Sequence, residues 1–180
     1  MNTTTTTTAA SRRVWDPLVR VFHWSLVACV LLNLFVVEDG EDLHQWLGYV
    51  AAALVGVRVV WGFIGPRHAR FADFFPTPRR VASHVRALFG GEAEHHWGHN
   101  PLGGLMVLGL MAMVLALGLT GWMQGLDAFW GEEWLQDLHE GLGEWLLPMV
   151  GLHAAAAIVM GRIERTRLVK AMVTGVKERY

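Results

Sequence analysis

Cysteine is nearly absent from this chain of 180 residues: Cys29 stands alone. That excludes an intrachain disulfide and any cysteine-ligated zinc or iron–sulfur centre. Set inside an apolar run, Cys29 reads as a small buried apolar residue. Charge is scarce as well. Only 17% of residues are charged and 53% are hydrophobic, whereas a soluble domain carries about 25% charged residues. The deficit implies a surface that faces lipid. Residues 1–13, MNTTTTTTAASRR, contain no apolar core. They read as a low-complexity, disordered head and not as a secretory signal, so the first apolar stretch stays in the mature protein.

What is present is four apolar segments, each near the roughly 20 residues that a helix needs to cross a bilayer. They run at about 18–37, 43–64, 101–123 and 136–160. The second holds one internal charge, Arg58; the third holds none; the fourth carries Glu140 and Glu144 near its start. This predicts an all-α integral membrane four-helix bundle over residues 14–161, followed by a basic tail over 162–180 that is too short for a fifth span. In the long polar connection between spans two and three, Thr77 to Phe89 predicts a short amphipathic surface helix, with Pro78 at an early helical position.

The charges are segregated. Arg12, Arg13 and Arg20 open the chain; Arg67, Arg70, Arg79, Arg80 and Arg86 lie in the long loop; Arg162, Arg165, Arg167, Lys170, Lys177 and Arg179 lie in the tail. Arg58, the remaining basic residue, sits toward the same side. The other two loops hold Glu38, Asp39, Glu41 and Asp42, then Asp127, Glu132, Glu133 and Asp137, with no lysine or arginine. By the positive-inside rule, both termini and the long loop are expected in the cytoplasm, with the acidic loops outside. Trp46, Trp122, Trp130 and Trp134 fall near the outer boundary, and Trp15, Trp24, Trp61 and Trp97 near the inner one, as interfacial belts.

Four histidines lie within or beside the spans, where polar residues turn to the bundle interior. His139 and His153 are separated by fourteen positions on one helix, so they point within about 40° of each other at depths about 21 Å apart. His23 matches the inner depth and His44 the outer. Two imidazoles per level on facing helices suit a planar macrocycle ligated on both faces, and such six-coordinate iron favours electron transfer. Zinc is a weaker reading, because a tetrahedral site needs its ligands gathered at one depth. Gly48, Gly141, Gly143 and Gly151 beside these positions suit either a large cofactor or close helix packing. Pro148 is expected to kink span four between its two histidines. His95 and His96 with His99 could bind a metal, but His68, His84, His95, His96 and His99 read rather as residues of a solvated loop.

The stretches VWDPLVRVFHWSL, LHQWLGY, RVVWGFIGPRHARFADF, GHNPLGGLM, LHEGLGEWLL and LHAAAA occur in order over about residues 14 to 177. They resemble the bacterial cytochrome b561 and nickel–iron hydrogenase b-type cytochrome family. The resemblance implies two haems b on His23, His44, His139 and His153, paired His23/His153 and His44/His139. It implies electron transfer between the quinone pool and a periplasmic c-type cytochrome or oxidoreductase subunit. Alternatives within it are the cytochrome b subunit of a hydrogenase and a superoxide or quinone oxidoreductase acting without a protein partner; a homodimer is compatible with either. The chain ends soon after span four, whereas hydrogenase-type subunits are often longer, so a stand-alone cytochrome is expected at least as much. Arg58 could contact a haem propionate or simply reach the inner interface. His99, at the mouth of span three, could contact a quinone or a propionate.

Overall fold

Three of the longer helices start alike. Each has a short polar residue whose side chain accepts a backbone N–H, followed by a proline already fixed in helical φ. Asp16 caps α1 (Pro17–Phe35), its Oδ1 accepting from the Val19 amide at 3.0 Å. Asn100 does the same for a later span, accepting from Gly103 at 2.7 Å. Thr77 starts the surface helix, accepting from Arg80 at 3.3 Å.

The computed structural model describes residues 11–91 and 96–178. A short strand β1 (Ser11–Arg13) precedes α1; α2 (Asp42–Ile64) follows. Then come a single turn α3 (Phe71–Phe74), the surface helix α4 (Pro78–Phe89) and α5 (Pro101–Gln124). The chain closes with α6 (Glu133–Ile163), a short α7 (Leu168–Thr174) and strand β2 (Val176–Glu178). Four of these helices, α1, α2, α5 and α6, are long and apolar enough to cross a membrane. The bundle is therefore all-α in its spans, and α6 continues unbroken through Pro148.

In the bundle, α1 packs on α2, α2 on α5, and α5 on α6. Its core is one layer to which all four spans contribute: Cys29, Ala51, Val55, Met111, Val114 and Leu146. Lipid tails are as apolar as these side chains, so association rests on close packing and not on expulsion of water. At Gly118 the helices come close enough that an added methyl would stand 2.7 Å from the Ala52 side chain. Large apolar side chains such as Val21, Val57, Val60, Leu119 and Ile158 point outward, as a lipid-facing surface requires.

The basic end carries a folded cap that the sequence did not announce. Ser11–Arg13 are not part of a disordered head: they pair antiparallel with Val176–Glu178, Arg12 opposite Lys177. Residues 1–10 of the head, His95 and residues 179–180 lie outside the described residues. The termini thus meet at one end of the bundle. Gly175 closes α7 with φ +82°, and a Cβ there would stand 2.7 Å from the Trp15 carbonyl, so both the left-handed backbone and the close approach call for glycine. Trp15 is buried in this cap with Val14, Val19, Ala69 and Ala171; it belongs to a core and not to an interfacial belt. The loop histidines are not solvated either. His84 is buried, and His68 is largely buried against Asp73, because the loop folds across the ends of the spans.

Candidate functional site

The four span histidines stand where helix periodicity places them, as two facing pairs. His23 on α1 and His153 on α6 have ring centroids 6.4 Å apart, inclined at 50°. His44 on α2 and His139 on α6 are 6.2 Å apart, inclined at 68°. Leu146 lies seven positions from each histidine of α6 and is buried in the core layer. Seven residues make nearly two turns, so the apolar layer separates the two pairs on the same face of the helix.

These spacings discriminate between cofactors. Two imidazoles on opposite faces of one iron each add a metal–nitrogen bond of about 2 Å and about 1.1 Å from nitrogen to ring centre. Their centroids then lie about 6 Å apart. Both pairs meet that value. Nδ1 of His23 and Nδ1 of His44 are buried with no hydrogen-bond partner among the described residues; the nearest acid to His44, Asp39, is 3.6 Å away and exposed. Gly48 and Gly143 each follow their histidine by four positions on the same helix face, and a methyl on either would meet no atom within 4 Å. A planar group between the outer histidines would therefore find small residues one turn further along both helices. The residues present fit haem. Zinc fits less well: among the described residues, no three histidine, cysteine, aspartate or glutamate side chains gather as a metal site.

Two polar residues near the basic end have changed character. Arg58 does not reach the interface; it is 2% exposed. Its Nη2 donates to the Ala69 carbonyl at 2.8 Å, and its guanidinium lies 5.2 Å from the Phe71 ring centre. Its Nη1 has no hydrogen-bond partner among the described residues. The α3 segment turns back over α2 and covers this side chain, which is why the arginine does not extend to water. His99 packs between Trp15 and Phe74, with centroids at 4.7 and 4.8 Å.

Burial, and then the charge of Arg58, push the His99 pKa down to about 3. The folded protein therefore holds this ring neutral, while the unfolded chain takes up its proton below about 6.5. Stability from this group is full above 6.5 and falls as the medium is acidified, by about 1.4 kcal/mol per pH unit down to the folded pKa. Thermal unfolding in detergent should show Tm falling below pH 6.5, and His99→Leu should flatten that slope. An unchanged slope in the variant would refute the assignment. At Asp73 the balance is different. Burial alone would raise its pKa, but hydrogen bonds from His68 at 3.0 Å and Arg67 at 3.2 Å outweigh it and lower the value.

The third span is where the sequence predicts it, but its part in the site is not announced. α5 has no titratable side chain, yet Thr120 and Gly121 touch His139. The only signal is a hydroxyl followed by glycine in an otherwise apolar run.

A family model described as prokaryotic cytochrome b561 matches residues 14–175. A probable Ni/Fe-hydrogenase B-type cytochrome subunit of Bradyrhizobium diazoefficiens is 28% identical, covering 92% of this chain and 85% of that protein. Proteins of the same description from Azotobacter vinelandii and Azotobacter chroococcum are 25% and 27% identical, each over 90% of this chain and 86% of their own length. No solved structure matches.

Proposed function

The chain belongs to the prokaryotic cytochrome b561 family, and from that membership we propose that it holds two haems b and carries electrons across the bacterial inner membrane. Membership makes it a membrane b-type cytochrome of electron transfer, and the cofactor of that family is haem b. The observation that carries the dihaem reading is the pair of facing histidine couples, with ring centres 6.4 and 6.2 Å apart, on opposite sides of one apolar layer.

When bound, haem b supplies a reversible one-electron iron couple. His23 with His153, and His44 with His139, would hold the two haems, and the haems would supply one-electron transfer there. Leu146 and its neighbours hold the centres apart and exclude water. Nη1 of Arg58 and Nδ1 of His99, both buried and unpartnered among the described residues, are the groups we assign to a haem propionate or a quinone at the basic end. The basic charges gathered at that end support our reading that it lies, with both termini, in the cytoplasm.

At the other end we assign a periplasmic redox partner. The names of the relatives favour a hydrogenase over a c-type cytochrome; the metal content of whatever co-purifies with the chain distinguishes them. The dihaem reading itself is tested by spectroscopy. Protein purified from membranes should show a b-type absorption spectrum and two haems per chain by pyridine haemochrome assay. A single haem, or none, would overturn it.

A further inference from the structure

Thr120 is buried on α5, and its Oγ1 lies 2.8 Å from Nδ1 of His139 on α6. The same oxygen lies 2.9 Å from the Ala116 carbonyl and 3.2 Å from the Leu117 carbonyl. A threonine hydroxyl has one proton, and a carbonyl can only accept. The proton turns back into its own helix, a common habit of helical threonine. What is particular here is the partner that remains. The Leu117 carbonyl also accepts from this imidazole, so Nδ1 carries the proton and the hydroxyl offers it a lone pair. The neutral ring then has its unprotonated nitrogen at Nε2. Gly121, the next residue, sets the ring from beside it: a methyl there would stand 3.2 Å from Cε1 of His139. Two consecutive residues of a span with no titratable group thus fix both the tautomer and the seat of this imidazole.

The histidines of α1 and α2 lack such a backing: Nδ1 of His23 and Nδ1 of His44 are buried without a hydrogen-bond partner among the described residues. The two pairs are alike in spacing, and the difference lies at His139.

Resting on the reading of His139 as a haem ligand, we propose that Thr120 is a positioning residue for it: the hydroxyl accepts from Nδ1–H, presents Nε2 as the ligating nitrogen and raises its basicity. An acceptor behind a ligating histidine orients the ring and strengthens the ligand, and a more basic ligand favours the ferric state. Removing the acceptor acts on one centre only.

Thr120→Val and Thr120→Ser, purified with haem bound, test this through haem content, redox titration and low-temperature electron paramagnetic resonance. In Thr120→Val, one of the two midpoints should rise, and the ferric signal of that centre should shift. Its haem affinity should weaken by about 10–100-fold, while the other centre stays as in the wild type. Thr120→Ser, which keeps the hydroxyl, should restore all three. Should Thr120→Val fail to assemble, Thr120→Ala is measured instead, with the same expectation. Unchanged midpoints and signals in the hydroxyl-free variant, or a serine variant that behaves like it, overturn the role of Thr120. His139→Ala separates this from the underlying reading. If that variant keeps both haems, His139 is no ligand; if it loses one while Thr120→Val matches the wild type, only the positioning role fails.

Discussion

Replacing His153 with alanine should remove one haem and leave the other in place. His153 is the α6 partner of His23, so on the proposed dihaem reading the substitution would take one of two ligands from the inner level and none from the outer. Haem content should fall from two per chain to one, with the remaining centre keeping the midpoint it has in the wild type. The helix itself should survive. Alanine is the best helix former, and Ala154, Ala155, Ala156 and Ala157 already continue the helix from this point. Leu146 and the core layer lie two turns away, between the substituted position and the outer pair. Haem assay and redox titration of the purified variant give the answer. Two haems retained would remove His153 from the ligand set. Two haems lost, with helix content by circular dichroism unchanged, would show that the levels do not assemble independently.

The second large effect is expected at the cap. Lys177 and Glu164 form an ion pair at 3.1 Å with side chains only 2% and 4% exposed. Lys177 also donates to the His96 carbonyl at 2.6 Å, and Asn100 donates to the other Glu164 oxygen at 3.3 Å. One buried carboxylate thereby joins the C-terminal strand, the end of α6 and the cap residue of α5. A buried pair adds little over apolar residues of the same volume, but removing one partner strands a charge and costs about 3–5 kcal/mol. Lys177→Met should release the tail and the β1–β2 ribbon, so that limited proteolysis cuts near residue 175 at far lower protease concentration. Lys177→Met combined with Glu164→Leu should recover much of the resistance. Haem content should stay unchanged, because local opening of the cap leaves the spans packed. Wild-type resistance in the single variant would count against this account.

Much of this was legible along the chain because the determinants are local. Hydropathy marks a span wherever about 20 apolar residues run together. Asp16-Pro17, Thr77-Pro78 and Asn100-Pro101 each state a helix start in two residues. The 3.6-residue period alone aligns His139 with His153, and alternating basic and acidic connections sort the loops to opposite ends. Each of these needs only neighbours in sequence.

The rest depended on contacts between distant positions. Trp24 donates to the Met172 carbonyl across 148 positions, and Lys177 to His96 across 81; nothing in either local segment announces the other. Arg58 is polar in an apolar helix, which predicts a special role, but only the return of α3 over α2 decides that it is covered. The third span is the sharpest case. A helix that is apolar all round has no stripe to show which face meets a neighbour, so the part played by Thr120 depended on how α5 is rotated against α6. By itself the sequence determined the four spans, the charge sorting of their ends and the two depths of histidine. The tertiary structure decided what stands behind His139, what covers Arg58, and that the two termini close one end as a single cap. Depth along a helix follows from counting residues; rotation about its axis is settled only when the side chains of neighbouring helices interlock.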